Sequence, residues 1–426
     1  MINLNTLGNG LKRGLKRFSQ KICKDISKPR EKFVTEMVFG IISSKSCMVT
    51  EIGRALKEDI SLKKTEDRLI RNLKNFSDND TVMKNYLEAV RPVIDENSML
   101  LVDGGDATKP CSPKMEGIGS VKDGSTGKFA DGYWTMGVTA LTSENHQPIP
   151  VYEKLYPCKK QGGQGFNIET KAALENIRQD FGSNMPRALD RGFDSGDIIR
   201  DLHDHNEKFI IRQNQNRVAV HKGKKTYIND IVRGVDCIHE MTFHSKTGNI
   251  SRCKIGITQV IVPNMKNIKL NLVVCKNFGE KPLVLYTNLD EPIEELAARV
   301  VKAYLMRWRI EEYYAFKKQG LGFEGFRVRS LRSIRTLDLL ATIAVGYIAI
   351  LCSKAKESEQ VIVLIIVSKR IPRLNDFLKK TKFFFYAVLD GITYALASLR
   401  YGISHHSTPP LPSFDQVCLW GVEKMG

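Results

Sequence analysis

Apolar and polar positions alternate with three different textures along the chain. From about Leu11 to Val93 apolar residues recur at helical spacing. Within that stretch Met48 to Leu56 reads as a short helix with Thr50 as its N-cap. Ser61 to Asn75, SLKKTEDRLIRNLKN, sets Leu62, Leu69, Ile70 and Leu73 among Lys and Arg. Such a basic amphipathic helix sits on DNA or simply faces solvent.

The second texture mixes strands and helices. Met99-Leu100-Leu101-Val102 is an apolar strand that ends at Asp103, and a turn-rich segment follows from Gly104 to Gly127. Gly132 to Ala140 and Ile149 to Leu155 are β-runs, and Glu169 to Phe181 is helical. Pro186 to Leu189 is a weak strand ending at Asp190, Gly192 opens a turn, and Ile198 to His203 starts a helix. This order predicts an α/β core with a mixed sheet. From about Phe209 to Leu289 short β-runs such as KFIIRQNQNRVAV and LNLVVCK are separated by Gly, Asn and Lys turns, which predicts an inserted β-rich domain.

Helix returns at Pro292 and is expected to run through Tyr304–Lys318. Leu339 to Cys352 is strongly apolar but shorter than the roughly 20 residues a membrane span needs. With Arg335 and Asp338 at its start it reads as a buried core helix. Gln360 to Val367 is a second apolar run, and the tail from Leu374 to Trp420 holds helical stretches and a His-Ser-Thr-Pro-Pro loop. The expected organisation is a helical DNA-binding region (1–95), a core in two parts (96–208 and 291–355) around the β-rich insertion (209–290), and a helical C-terminal region (356–426).

Composition narrows the partners. The 426 residues, 42% hydrophobic and 26% charged, suit two or three globular domains. The net charge is +18. Between Arg299 and Arg335 there are ten Lys or Arg against three Glu, and Lys12 to Lys32 is a second basic region. Two separate basic regions point to nucleic acid rather than to an anionic membrane surface. Nine single cysteines with no C-x2-C fit a reducing compartment and exclude a zinc ribbon or a disulfide scaffold. His203 and His205 beside Asp201 lack a further His or Cys to complete a metal site. The first residues lack the apolar core of a signal peptide.

The chemistry gathers on Tyr304–Lys318, YLMRWRIEEYYAFKK. At about 100° per residue, Tyr304, Arg307, Glu311 and Lys318 fall within roughly 60° of one helical face. A phenol, a guanidinium, a carboxylate and an ammonium on one face suit a phosphodiester, since Arg grips phosphate bidentately and Glu can hold a metal. A solvated face with incidental charges is the alternative, and Tyr304 is equally a packing residue. Lys317, one residue off that face, is expected to be dispensable. Two-metal phosphoryl chemistry also needs carboxylates that converge from different elements. Asp103, Asp190 and Glu311 are the candidates. Asp106, Asp194 and Glu312 are their neighbours, the first already in the turn, the second past the Gly-Phe turn and the third about 100° off the face.

At these residues the chain resembles the insertion-sequence DDE transposases, in the hairpin-forming branch with the Tyr-Arg-Glu-Lys helix. LLVDGGD (Leu100 to Asp106) is similar to the family's first-Asp segment and RALDRGFDSGD (Arg187 to Asp197) to its second; Tyr304, Arg307, Glu311 and Lys318 match its helix spacing. The resemblance implies a ribonuclease-H-like core with Asp103, Asp190 and Glu311 ligating two Mg²⁺ ions, with Mn²⁺ as a substitute. It implies cut-and-paste transposition on double-stranded DNA, with terminal inverted repeats and target DNA as substrates and a dimer in the DNA complex. Arg307, Lys318 and Tyr304 would hold the phosphate near the cut. Arg327, Arg329, Arg332 and Arg335 would track backbone phosphates. Trp308 and Trp134 are core residues or base-stacking platforms. The expected location is the bacterial cytoplasm, at the nucleoid and without a membrane. A transposase-derived, sequence-specific DNA-binding protein without catalysis is the competing reading.

Overall fold

The computed structural model describes residues 3–158, 162–214, 216–244, 250–263, 268–353, 358–368 and 383–404. The expected His-Ser-Thr-Pro-Pro loop and much of the tail lie outside the described residues. The chain begins with five helices, α1 (Leu4–Ile22), α2 (Lys28–Ser44), α3 (Val49–Leu56), α4 (Leu62–Asn75) and α5 (Asn79–Val90). Strands β1 (Met99–Thr108), β2 (Gly119–Lys122), β3 (Phe129–Leu141) and β4 (Pro148–Tyr156) follow. Next come α6 (Phe166–Phe181), β5 (Arg187–Leu189), α7 (Gly196–Asp204) and β6 (Phe209–Arg212). A β-rich stretch holds β7 (Val218–His221), β8 (Lys224–Tyr227), α8 (Ile228–Gly234), β9 (His239–His244), β10 (Ile250–Val262), β11 (Ile268–Lys276) and β12 (Leu283–Thr287). The last part is helical, with α9 (Ile293–Met306), α10 (Trp308–Ala315), α11 (Leu331–Ser353), α12 (Glu359–Val367) and α13 (Phe385–Ala397).

Contacts divide the chain into two compact units, a first of residues 1–95, 104–163 and 311–426, and a second of residues 96–103 and 164–310. In the second unit β1, β5 and β6 pair in parallel, and β12, β11 and β10 continue antiparallel beside β6. The hairpin of β7 and β8 pairs with β10, and so does β9. Phe209, Ile210 and Ile211 of β6 are all buried, which is how a strand covered on both faces reads. The segment expected as a separate β-rich insertion therefore hydrogen-bonds directly onto the parallel strands. It also shares a core with α9. Ile210, Ile255, Val273 and Leu285 pack with Leu296, Val300, Val301 and Tyr304, each buried aliphatic side chain contributing about 1.5–3 kcal/mol.

In the first unit β3 pairs antiparallel with both β2 and β4. The apolar run of α11 is a core helix, as expected: 78% of its most apolar stretch is buried. Gly346 of α11 lets the Tyr86 hydroxyl of α5 come so close that a Cβ would stand 2.0 Å from it, and that hydroxyl donates to the Pro150 carbonyl at 2.7 Å. Two local expectations change. The N-cap of α3 is Met48, with Thr50 inside the helix. Strand β1 also continues through Asp106 to Thr108 rather than stopping at Asp103.

Candidate active site

The second unit sets three charged residues in one row. Strands β1 and β5 run in register from Leu100 opposite Arg187 to Val102 opposite Leu189. One step further the same register sets Asp103 beside Asp190. Strands β5 and β6 run in register to Leu189 opposite Ile211, so the next step sets Asp190 beside Arg212. Parallel neighbours about 4.8 Å apart in register present their side chains on the same face. Asp190 stays extended (φ −77°, ψ 174°) because β5 ends just before it and a 3₁₀ turn, Arg191–Phe193, begins just after. Two carboxylates at this spacing repel, and Arg212 brings a positive charge to the same row, close enough to act on the Tyr304 phenol. Sequence reasoning missed Arg212. Its one signal, an Arg ending the apolar run Phe209-Ile210-Ile211, acquires meaning only once β1, β5 and β6 are known to be parallel neighbours.

The end of α9 closes over this row. The Tyr304 hydroxyl donates to Asp190 Oδ1 at 3.0 Å, and Arg307 Nη1 donates to Asp103 Oδ2 at 2.6 Å. The Arg307 guanidinium also lies 5.9 Å from the Tyr304 ring centre. Burial, reinforced by the Asp190 carboxylate, pushes the Tyr304 phenol well above its ordinary pKa, so it remains a donor at neutral pH. Tyr304 is also a packing residue, the alternative foreseen for it, since it lies in the core of the β-rich strands.

The helix itself differs from the uninterrupted one expected. At Arg307 the ladder tightens, with Arg307 N–H donating to the Tyr304 carbonyl and Ile310 N–H to the Arg307 carbonyl. These three-residue steps separate α9 from α10. After Ala315 the chain widens into a π turn, Phe316–Gly320, closed by Leu321 N–H on the Phe316 carbonyl at 3.2 Å. Gly320 is required there, because a Cβ would lie 2.8 Å from the Phe316 ring.

The rival carboxylates have other work. Asp194 in the second unit is 1% exposed and pairs with Arg217 at 3.0 Å. It also accepts from Gln213 at 2.7 Å and from Asn214 N–H at 2.9 Å. Burial pushes its carboxyl upward against the pull of Arg217. Asp106 in the first unit lies in β1 rather than in a turn. It accepts from Lys318 at 2.6 Å and from Gly124 N–H at 3.0 Å. Glu311 and Glu312 are both half-buried on α10, and Glu311 is the first residue of the first unit's closing segment.

The remaining expected residues sort by exposure. Lys318 is paired, to Asp106 and to Glu324 at 3.2 Å. Lys317, expected to be dispensable, is 2% exposed and lies between Glu153 and Asp338. The π turn changes the register on which the one-face argument relied. Arg327 and Arg329 are exposed. They project from an extended segment pinned by Lys109 on the Phe326 carbonyl and by Glu116 N–H on the Arg329 carbonyl. Arg332 donates to the Phe76 carbonyl and Arg335 to the Leu155 carbonyl, so these two are partly committed within the first unit. Trp308 is 51% exposed, and Asp201 is held by Arg178 at 3.0 Å rather than forming a metal site with its histidines.

Among the described residues no group of three or more His, Cys, Asp or Glu stands ready to hold a metal ion. The Asp103–Asp190 pair nevertheless fits an oxygen-seeking divalent cation in donor type. Arg307 neutralises part of the pair's negative charge through Asp103.

Residues 169–346 match the family model of the transposase DDE domain. The matched span contains Asp190, Arg212, Tyr304, Arg307, Glu311 and Lys318, and Asp103 lies ahead of it. Among solved structures the chain is similar to a piggyBac transposase in a cryo-EM synaptic complex with hairpin DNA. The match has 12% identity and a TM-score of 0.45, and covers 91% of this chain and 78% of that one.

Proposed function

We propose that this chain is a DDE transposase that hydrolyses phosphodiester bonds at transposon ends and joins the freed 3′ ends to target DNA. The observation that carries this reading is the row Asp103–Asp190–Arg212 under Tyr304 and Arg307. It sets two carboxylates and three phosphate-binding or donor groups on one edge of a parallel sheet, the usual place for a site in such folds. The family match over residues 169–346 supports it. So does the +18 net charge.

In this reading Asp103, Asp190 and Glu311 would hold two divalent ions, Mg²⁺ by preference. Bound there, the ions would activate the attacking water or 3′-hydroxyl and neutralise the leaving oxygen. The chain's own part is to bind and orient. Arg307 exchanges Asp103 for a DNA phosphate, which it grips bidentately. Tyr304 keeps Asp190 oriented through its hydrogen bond. Arg212 holds a neighbouring phosphate oxygen, and Lys318, Arg327 and Arg329 extend the grip along the backbone. A hairpin intermediate, a dimer in the DNA complex and the nucleoid as location belong to the same proposal.

The test incubates purified protein with DNA bearing the element's terminal repeats, with and without Mg²⁺. Mg²⁺-dependent cleavage followed by strand joining is expected. A shifted band without cleavage would favour a DNA-binding protein that has lost catalysis, and cleavage without joining would favour a plain nuclease.

A further inference from the structure

Lys317 is unusual in how completely it is used. Its ammonium lies 2.8 Å from Glu153 of β4 and 2.5 Å from Asp338 of α11, and it donates to the Thr342 hydroxyl at 2.9 Å. An ammonium has three protons, and all three are committed to three residues from two elements. Tyr313 of α10 donates to the other oxygen of Glu153, and the ring of Phe323, in the 3₁₀ turn that follows, lies 4.5 Å from the ammonium. Buried ionic groups of this kind add little to stability over an apolar replacement. What they do supply is a single allowed geometry.

That geometry coincides with the π turn. Single π turns are rare and need local support. Lys317 is the second residue of this one, and it anchors the turn inward on β4 and α11. Its neighbour Lys318 is thereby turned outward to Asp106 and Glu324, with 22% of its side chain exposed. We propose that Lys317 is a positioning residue, whose buried clasp on Glu153, Asp338 and Thr342 holds the π turn closed and so keeps Lys318 turned outward, on Asp106 and Glu324, where it can take a phosphate. The inference rests on the transposase reading only for what Lys318 then does.

The test uses the full chain carrying Lys317→Met, Glu153→Gln and Asp338→Asn together, which removes the three charges at nearly constant volume and strands none of them. Lys318→Ala and the fourfold combination are made alongside. Two readouts are taken, hydrogen exchange of amides 316–321 and single-turnover cleavage of end-bearing DNA. The triple variant is expected to melt near wild type yet exchange about tenfold faster in 316–321. Its cleavage should fall to the level of Lys318→Ala, with less than about a further twofold loss in the fourfold variant, as for residues acting as one unit. Wild-type exchange in 316–321, wild-type cleavage by the triple variant, or losses that multiply would each overturn the proposal. If the wild type itself does not cleave, the transposase reading falls, and the exchange measurement still decides the role of Lys317. Should the triple variant not fold, Thr342→Val removes one acceptor, leaves the ion pairs in place, and must still speed exchange in the same six residues.

Discussion

Arg307 holds Asp103 by a charged hydrogen bond of 2.6 Å between Nη1 and Oδ2. A cation thus rests on a carboxylate that the proposed function assigns to a metal ion, and in that proposal it gives way to substrate and metal. Removing the carboxylate should therefore destroy catalysis without weakening the grip on DNA. Asp103→Ala, Asp190→Ala and Glu311→Ala are each expected to abolish cleavage, while gel-shift affinity holds or, for Asp103→Ala, rises. Near-normal nicking by any of the three would remove that residue from the site.

Arg212 pairs through its backbone with Leu285 of β12, a pairing that alanine keeps, so loss of its side chain should leave the fold intact. Arg212→Ala, Arg307→Ala and Lys318→Ala are each expected to lose about 10²-fold or more in cleavage rate, the cost of misplacing a reacting phosphate by about 1 Å. Lys302→Ala, an exposed position of α9, should remain fully active. Equal losses in all four would mean that only bulk charge matters.

DNA affinity should fall steeply with salt. If the basic surfaces neutralise roughly 6–10 phosphates, affinity drops about 10³–10⁵-fold between 50 and 200 mM salt. Arg212→Ala should lower the log–log slope by about 0.9. Fluorescence anisotropy over a salt series measures both, and a flat response would detach the basic surfaces from DNA altogether.

Lys317→Ala should behave as a core mutation. It leaves Glu153 and Asp338 buried without their cation, and breaking such a pair costs about 3–5 kcal/mol. A urea midpoint unchanged from wild type would place Lys317 at the surface, against its 2% exposure.

Asp338 should make stability depend on pH. Burial pushes its carboxyl up to about 6, against the pull of Lys317. A carboxyl raised in the folded state contributes stability that is fully present below its unfolded pKa, near 4, and is lost as pH rises through about 6. The stability of wild type relative to Asp338→Asn should therefore fall from pH 4 to pH 6, by at most about 1.4 kcal/mol per pH unit, and then level off. Urea denaturation of both proteins at each pH gives the difference, and a rising difference would mean that Asp338 stays ionised throughout.

Much of this architecture was legible from the chain alone, because its signals are local. The strand before Asp103, the short strand before Asp190 and the apolar run of α11 all follow from periodicity and residue type over a few turns, whereas the single face expected for Tyr304–Lys318 is lost to the break at Arg307 and the π turn after Ala315. The resemblance to DDE transposases rested on the same short segments. Strand register and side-chain direction are not local. Arg212 joins the aspartates only because β5 and β6 pair in parallel and in step. The stretch 209–290 reads as an insertion, yet β6 makes it continuous with the parallel strands. Lys317 and Lys318 are adjacent and chemically identical, and no pattern along the chain separates them. Glu153 and Asp338 lie far from Lys317 in sequence, and burying one ammonium against both carboxylates turns Lys317 inward and leaves Lys318 facing out. A lysine's role is decided by whether a carboxylate reaches it away from water, and that depends on how distant segments pack.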